Sequence, residues 1–441
     1  MRSLLRCRRG SAAFATLVAL VPLVGVVALG GEAGSWYVTH QHAQGAADAA
    51  AYSGALCLAN PSSCTVTPPD YRAKQAAAQN AFCNAGGTSY PGSTCGTSLP
   101  TGVSQTVTVS VAGSSVTATV SQQQPAYLAR ILGLSTVNIG ATATAQVVVL
   151  AKPCILALSG AISFHDSAVN VQTPNCGLAS NSTTTGFNFQ ANPSVANIGS
   201  MSTSGNCSGN AVDCKKVLTY APPAPDPFSA LDTAMTTPSL LTLPSCGKNK
   251  PLTPYTASSQ CANDGSTLGA ITTSGVYFFS DLNLKGGNKT LITCDAVNQS
   301  NPLCGGVAGV SATIILLPGA SLWMTGGSLL SITAQSTVSS YQLPSRLQSV
   351  AGSLSDVAFY DTESGTPKIN GSPTISFGGV FYAPNMDISF NGHPSITPLS
   401  TVSNCAELFA ASIELVGSPL FANSGCAPSV VPQSQYVRLV Q

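Results

Sequence analysis

Residues 11–31 carry no charged side chain and are mostly apolar. At a helical rise of ~1.5 Å per residue this stretch reaches roughly 31 Å, enough for the ~30 Å hydrocarbon core of a bilayer. The pattern predicts a transmembrane helix. Pro22 does not argue against it, since membrane helices tolerate proline. Residues 32–58 continue Ala-rich and without proline, so a membrane-proximal helix is expected to run outward from the span and stop at Asn60-Pro61. A second helical stretch, 70–82, is expected to open with Asp70 as N-cap behind Pro68-Pro69 and to end before Gly86-Gly87.

From residue 103 the period changes to two. Residues 103–111 and 115–120 alternate apolar and polar side chains around Ala112-Gly-Ser114, which predicts a β-hairpin. Residues 125–132 read as a short helix and 136–150 as a strand, so 59–150 is expected to form a small α+β domain. So few elements bury little surface alone, and the domain is expected to pack on the long helix or on its neighbour.

Residues 151–441 consist of short β-branched or aromatic runs separated by Gly, Pro, Ser and Asn. A loose repeat runs through Gly371-Ser-Pro-Thr-Ile375, Gly392-His-Pro-Ser-Ile396 and Gly417-Ser-Pro-Leu-Phe421, with Gly319-Ala-Ser-Leu-Trp323 as a distant member. Spacings of 21 and 25 residues between the first three fit coils of a parallel β-solenoid, or β-helix, with glycine at the turns. A β-sandwich is the alternative with similar strand spacing. The Pro-rich break at 221–227 is expected to cross the solenoid surface or to divide it into halves.

Charge orients this arrangement. Arg2, Arg6, Arg8 and Arg9 precede the span, and the next basic residue is Arg72. By the positive-inside rule residues 1–10 form a cytoplasmic tail and the bulk of the chain lies outside. In a bacterium that is a single-pass inner-membrane protein with a periplasmic body. A cleaved signal peptide is the alternative, with Ala28-Leu-Gly30 as its cleavage site, although its apolar core would be shorter than this one.

Only 7% of residues are charged and the net charge is +1, so no surface is built to track phosphates, and nucleic acid is excluded as a partner. The 44% hydrophobic content with 41 Gly and 29 Pro argues for an exported, turn-rich β chain rather than disorder. Of 15 cysteines, Cys7 falls on the cytoplasmic side and the remaining fourteen fall in an oxidising compartment. Joining neighbours along the chain pairs Cys57 with Cys64, Cys83 with Cys95, Cys154 with Cys176, Cys207 with Cys214, Cys246 with Cys261, Cys294 with Cys304 and Cys405 with Cys426 as candidate disulfides.

Candidate chemistry is sparse. The sequence has no Cys-x-x-Cys and no clustering of cysteines with its four histidines, so neither a metal nor another cofactor is expected. His40 and His42 lie two apart on a helix and point to different faces. His165-Asp166, adjacent in an extended segment, faces opposite sides. A distal group of Asp356, Asp361, Glu363, Lys368, Asp387 and His393 is the richest polar cluster in a charge-poor chain. Glycan cleavage needs two carboxylates at a defined separation. Turn-forming aspartates explain the group more simply, and no catalytic residue is assigned. Phosphate-loop and nucleophile-elbow motifs are absent from the sequence. Asn181, Asn206, Asn288 and Asn298 stand in glycosylation-type triplets that are incidental in a bacterium.

Contact between helices is the more promising chemistry. Gly30 and Gly34 form a Gly-x-x-x-Gly at the outer membrane boundary, and Ala43, Ala47, Ala50 and Gly54 continue a small-residue stripe. Small side chains let two backbones approach closely. A helical partner is expected there.

Arg8-Arg9-Gly10-Ser11, the apolar span with Pro22, and His42-Ala-Gln-Gly-Ala-Ala-Asp-Ala-Ala-Ala-Tyr-Ser-Gly-Ala55 together resemble the N-terminal segment of TadE/TadG-like Flp pilus-assembly proteins. Tyr127-Leu-Ala-Arg-Ile-Leu-Gly133 and the glycine-punctuated β region look like the longer TadG-type members. The resemblance implies a non-enzymatic envelope protein that assists assembly or anchoring of tight-adherence pili, with pilus-assembly or secretion proteins as partners. Two departures are visible. Ala15 stands where prepilin processing after Gly10 would want glutamate, and the Asp-x-Ser-x-Ser signature of a metal-dependent adhesion domain is missing. A glycan- or cell-wall-binding adhesin is the second reading, and a β-helix polysaccharide-degrading enzyme is the third.

Overall fold

A computed structural model describes residues 8–60, 64, 68–83, 99–150, 152–248, 250–265, 268–286, 289–399, 406–423 and 435–440. The chain divides into two compact units, Met1–Val149 with Gln435–Gln441, and Leu150–Ser434.

The first unit is built on α1 (Arg8–Ala59), a continuous helix of 52 residues with Pro22 inside it. Part of it is long and apolar enough to cross a membrane, with a mean hydropathy of 1.7 over its most apolar 18 residues. Val18, Leu20, Leu23, Val24, Val26 and Val27 lie exposed on it. Its outer half packs on an antiparallel sheet of β1 (Ser104–Ala112), β2 (Ser115–Pro125), β3 (Thr136–Val149) and a C-terminal strand, Gln435–Val440, in that order. The expected hairpin turns at Gly113, whose φ of +57° suits glycine. Period-two alternation drives Val107, Val116, Ala118, Val120, Ala141, Ala143 and Ala145 into the core. The opposite face carries hydroxyl pairs, Thr117 with Thr144 at 2.9 Å and Thr119 with Thr142 at 3.0 Å.

A shorter helix, α2 (Pro69–Gln79), adds Ala73 and Ala77 to this core. Pro68 occupies its cap position, so Asp70 sits in the first turn, where a carboxylate favours the helix dipole, rather than serving as N-cap. The stretch 125–132 contains a 3-10 turn over Ala129–Leu132. Turn spacing groups the C-terminal residues with the distal β region. They instead pair with β3, from Gln435 opposite Val149 to Val440 opposite Thr144, and Val437 packs against the first unit's core.

In the second unit every pairing between named strands is parallel, whereas sandwich sheets pair antiparallel. Three ladders share one apolar interior. One stacks Tyr277, Ile314, Phe359, Phe381, Leu408, Ile155, Leu178, Met201 and Val217. A second stacks Leu284, Met324, Ile369, Phe390, Leu415, Phe164 and Phe189. The third runs through Leu291, Leu330, Ile375, Ile396, Phe421 and Val171. The repeat glycines Gly371, Gly392 and Gly417 fall on successive rungs at positive φ, and Gly326 rather than the expected Gly319 occupies the rung beside Gly371. A Cβ on Gly371, Gly392 or Gly417 would meet the backbone of the glycine on the preceding rung.

The ladder order is not the chain order. Strand Ala406–Gly417 pairs with Pro153–Ala157, so residues 153–218 stack onto the end of the segment that starts at 270. The Pro-rich segment and its continuation as far as Tyr255 lie across one outer face. Ala224, Phe228, Leu231, Met235, Leu241 and Tyr255 cover Phe278, Ile315, Tyr360, Tyr382 and Phe409. Hydroxyls of that face fix the segment, Tyr382 donating to Asp226 at 2.9 Å and Tyr360 donating to Asp232 at 2.7 Å.

Disulfides join Cys57 to Cys64, Cys154 to Cys176, Cys207 to Cys214, Cys246 to Cys261 and Cys294 to Cys304, with Cα separations of 5.0–5.6 Å. Cys95, Cys405 and Cys426 lie outside the described residues, as do Arg2, Arg6 and Cys7. The expected links of Cys83 with Cys95 and of Cys405 with Cys426 therefore fall there too.

Candidate functional site

The small-residue stripe on α1 divides into two parts. Gly30 and Gly34 face outward, and a Cβ on either would meet nothing within 4 Å. Ala43, Ala47 and Ala50 are fully buried, together with Ala46, Ala51 and Ala55, in the core they share with the unit's own sheet. At Gly54 a Cβ would come 2.9 Å from Val116 Cγ1, 3.0 Å from the Pro69 carbonyl oxygen and 3.2 Å from Ala73 Cβ. The outer stripe is therefore filled by the same chain, which leaves no room there for a helix of another protein. Close approach of backbones explains the small residues, and their partners are the unit's own sheet and α2.

Polar contacts fix this docking. The His40 ring Nδ1 lies 3.1 Å from the Gly140 carbonyl oxygen, while His42 is exposed. Glu32, the first charged residue after the span, receives three backbone N–H donors from the β2–β3 loop. Tyr127 donates at 2.6 Å, Leu128 at 3.0 Å and Ala129 at 2.8 Å. A carboxylate collecting several N–H groups satisfies donors that the 3-10 turn leaves over. Sequence reasoning missed Glu32. Its available signal was the position of a lone carboxylate beside the apolar stretch.

In the second unit the sequence-selected polar group disperses. Asp361 is buried and accepts from the Glu363 N–H at 2.9 Å, and its Oδ2 has no hydrogen-bond partner among the described residues. Burial pushes its carboxyl up to about 7, and the Glu363 charge adds to the rise against the lowering effect of that N–H. Glu363 accepts from the Gly319 N–H. Asp356 holds a φ of +60° in a turn, and burial raises its carboxyl. The His393 side chain is exposed, and that of Lys368 lies outside the described residues.

Asp387 accepts from Ser412 Oγ at 2.6 Å and joins a different group. Glu414 pairs with His165 at 2.8 Å and accepts from Ser389 Oγ at 2.7 Å. Asp387, Ser389, Ser412 and Glu414, with Ser163 and Thr366, border a depression of about 320 Å³. Asp166 turns away from His165 and accepts from the Gly417 N–H at 2.7 Å. The row therefore brings hydroxyl, carboxylate and imidazole groups together, bonded to one another. Among the described residues no group of three or more His, Cys, Asp or Glu is placed to hold a metal.

The architecture defines a class: one N-terminal helix of membrane-spanning length and composition, suggesting membrane anchoring, leads into mainly β units carrying disulfides. Within that class, residues 10–56 match the family model Tad, TadE/G-like Flp pilus-assembly. The match begins at the apolar part of α1 and ends where the helix is fully docked on the sheet. It supports a Flp pilus-assembly-related envelope protein. No curated protein and no solved structure matches the chain.

Proposed function

We propose that the chain is a non-catalytic, single-pass inner-membrane protein that assists assembly or anchoring of Flp pili. In this reading residues 1–10 lie in the cytoplasm, residues 11–31 span the bilayer, and both β units lie in the periplasm. The observation that carries it is the coincidence of the family match with α1. Its apolar half is left uncovered by the protein, and its outer half packs on the sheet and α2 through Ala43, Ala47, Ala50 and Gly54. Gly30 and Gly34 then remain the positions where another membrane helix can approach. The stacked parallel ladders are read as a disulfide-stapled solenoid that serves as a stiff arm.

Removing the chain from its native cell and counting assembled surface pili tests this. Loss of pili, restored by the intact chain, is expected, and normal pilus number without it would overturn the reading.

The row of Asp387, Ser412, Ser389, Glu414 and His165 favours a second reading, in which the distal unit contacts a glycan. Retention on immobilised envelope polysaccharide that disappears in Asp387→Ala and Glu414→Ala would favour it. Equal retention of the variants would count against it.

A further inference from the structure

The β2–β3 loop presents an unusual surface. Tyr127 is 75% exposed, Ile131 85%, Leu134 51% and Leu128 38%, and Arg130 between them is exposed too. Four large apolar side chains within eight residues form one outward patch, while Ala126 and Ala129 are buried beneath it. The loop closes its own backbone bonds. Ala126 donates to Ser135, Ile131 to Leu128, Gly133 to Arg130 and Leu134 to Ala129. Its position is set by Glu32, which takes the remaining donors of Tyr127, Leu128 and Ala129. Glu32 directly follows the last residue of the apolar stretch 11–31.

We infer that this loop is a membrane-interface anchor, whose Ile131, Leu134 and Leu128 enter the outer edge of the bilayer beside the span. The inference rests on reading residues 11–31 as the span. Continuity with that span selects lipid as the occupant, because a patch fixed at Glu32 is held where the hydrocarbon ends. The side chains match that depth. Tyr127 combines an apolar ring with a polar tip, and Arg130 has a long stem with a cationic head that can reach lipid phosphates. Satisfying most of its backbone donors lowers the cost of placing a loop there. The Glu32 tether then holds the helix and the loop together as two points of contact, which fixes how the first unit leans on the membrane.

Photo-crosslinking in the full chain, reconstituted in phosphatidylcholine–phosphatidylglycerol vesicles, tests this. Benzoylphenylalanine replaces Ile131, Val24 in the span, or Val111 in separate preparations. Val111 pairs with Val116, which touches Gly54, and by helical rise Gly54 stands about 33 Å up α1 from Glu32. Lipid adducts at positions 24 and 131, with those at 131 exceeding those at 111 by an order of magnitude, are expected. Adducts at 24 with position 131 no richer in lipid than 111, or with 131 linked only to protein, overturn the anchor and leave the span standing. Absence of lipid at 24 overturns the span and the anchor with it.

Discussion

Gly54 lies against Val116 so closely that a Cβ on the glycine would sit 2.9 Å from the valine Cγ1. The helix and the sheet meet there with backbone nearly touching side chain. Gly54→Ala gains about 1 kcal/mol of helix propensity but overpacks a site whose relief costs about 1–3 kcal/mol, so a net loss of roughly 1 kcal/mol is expected. Gly45 is exposed on the same helix, and a Cβ there meets nothing within 4 Å. Gly45→Ala should therefore stabilise by about 0.5–1 kcal/mol. Urea unfolding of the full chain in detergent checks the opposite signs.

The repeat glycines make a second contrast. A Cβ on Gly392 would collide with the Gly371 carbonyl oxygen at a φ of +92°, whereas Gly319 at +93° has open space around its missing Cβ. Gly392→Ala should cost about 2–4 kcal/mol, combining left-handed strain with overpacking, and Gly319→Ala only about 1 kcal/mol. Thermal melts of the two variants should differ accordingly. Equal shifts would mean that the rungs are not in this register.

Burial gives the second unit a pH dependence of defined sign. Asp361 titrates at about 7 and Asp232 at about 6 in the fold, both raised chiefly by desolvation. The folded state then holds protons that the unfolded chain releases at lower pH. Their contribution is fully present below the unfolded carboxylate range and is lost as pH rises from about 4 to about 7. Asp361→Asn removes the larger part and can keep the bond from the Glu363 N–H. Its advantage over the parent in thermal stability should grow between pH 5 and pH 8, by about 1–3 kcal/mol. An advantage that stays flat with pH would contradict a buried, uncompensated carboxyl.

The disulfide between Cys154 and Cys176 closes a loop of 22 residues inside the stack. Replacing both by Ala should cost about 3 kcal/mol on chain-entropy grounds. Peptide mapping without reduction should recover this link and the four other local links. Long-range links instead would contradict the fold of the second unit.

The amino-acid pattern carried local features well and non-local ones poorly. Alternation from 103 to 120 was enough for the hairpin, and Gly371, Gly392 and Gly417 marked rungs that do lie side by side. Nothing local signals that Ile155 should pair with Leu408, since each strand offers the same apolar edge to many partners. The C-terminal strand's return to β3 has the same cause. The stripe through Ala43, Ala47 and Gly54 was visible, but small side chains admit a sheet as readily as a helix. Glu32 and Tyr127 stand 95 residues apart, and their bond exists only once the sheet has docked.

In the proposed role α1 meets the pilus-assembly machinery through the part of the helix that the first unit's own sheet and α2 leave open. Benzoylphenylalanine in place of Ala33 or Tyr52, in cells assembling Flp pili, tests this directly, with adducts identified by mass spectrometry. Both positions are exposed, Ala33 on the open part of α1 and Tyr52 on the docked part. Pilus-assembly proteins are expected on position 33 and not on position 52. Pilus-assembly proteins absent from position 33, or captured equally at position 52, would contradict this role.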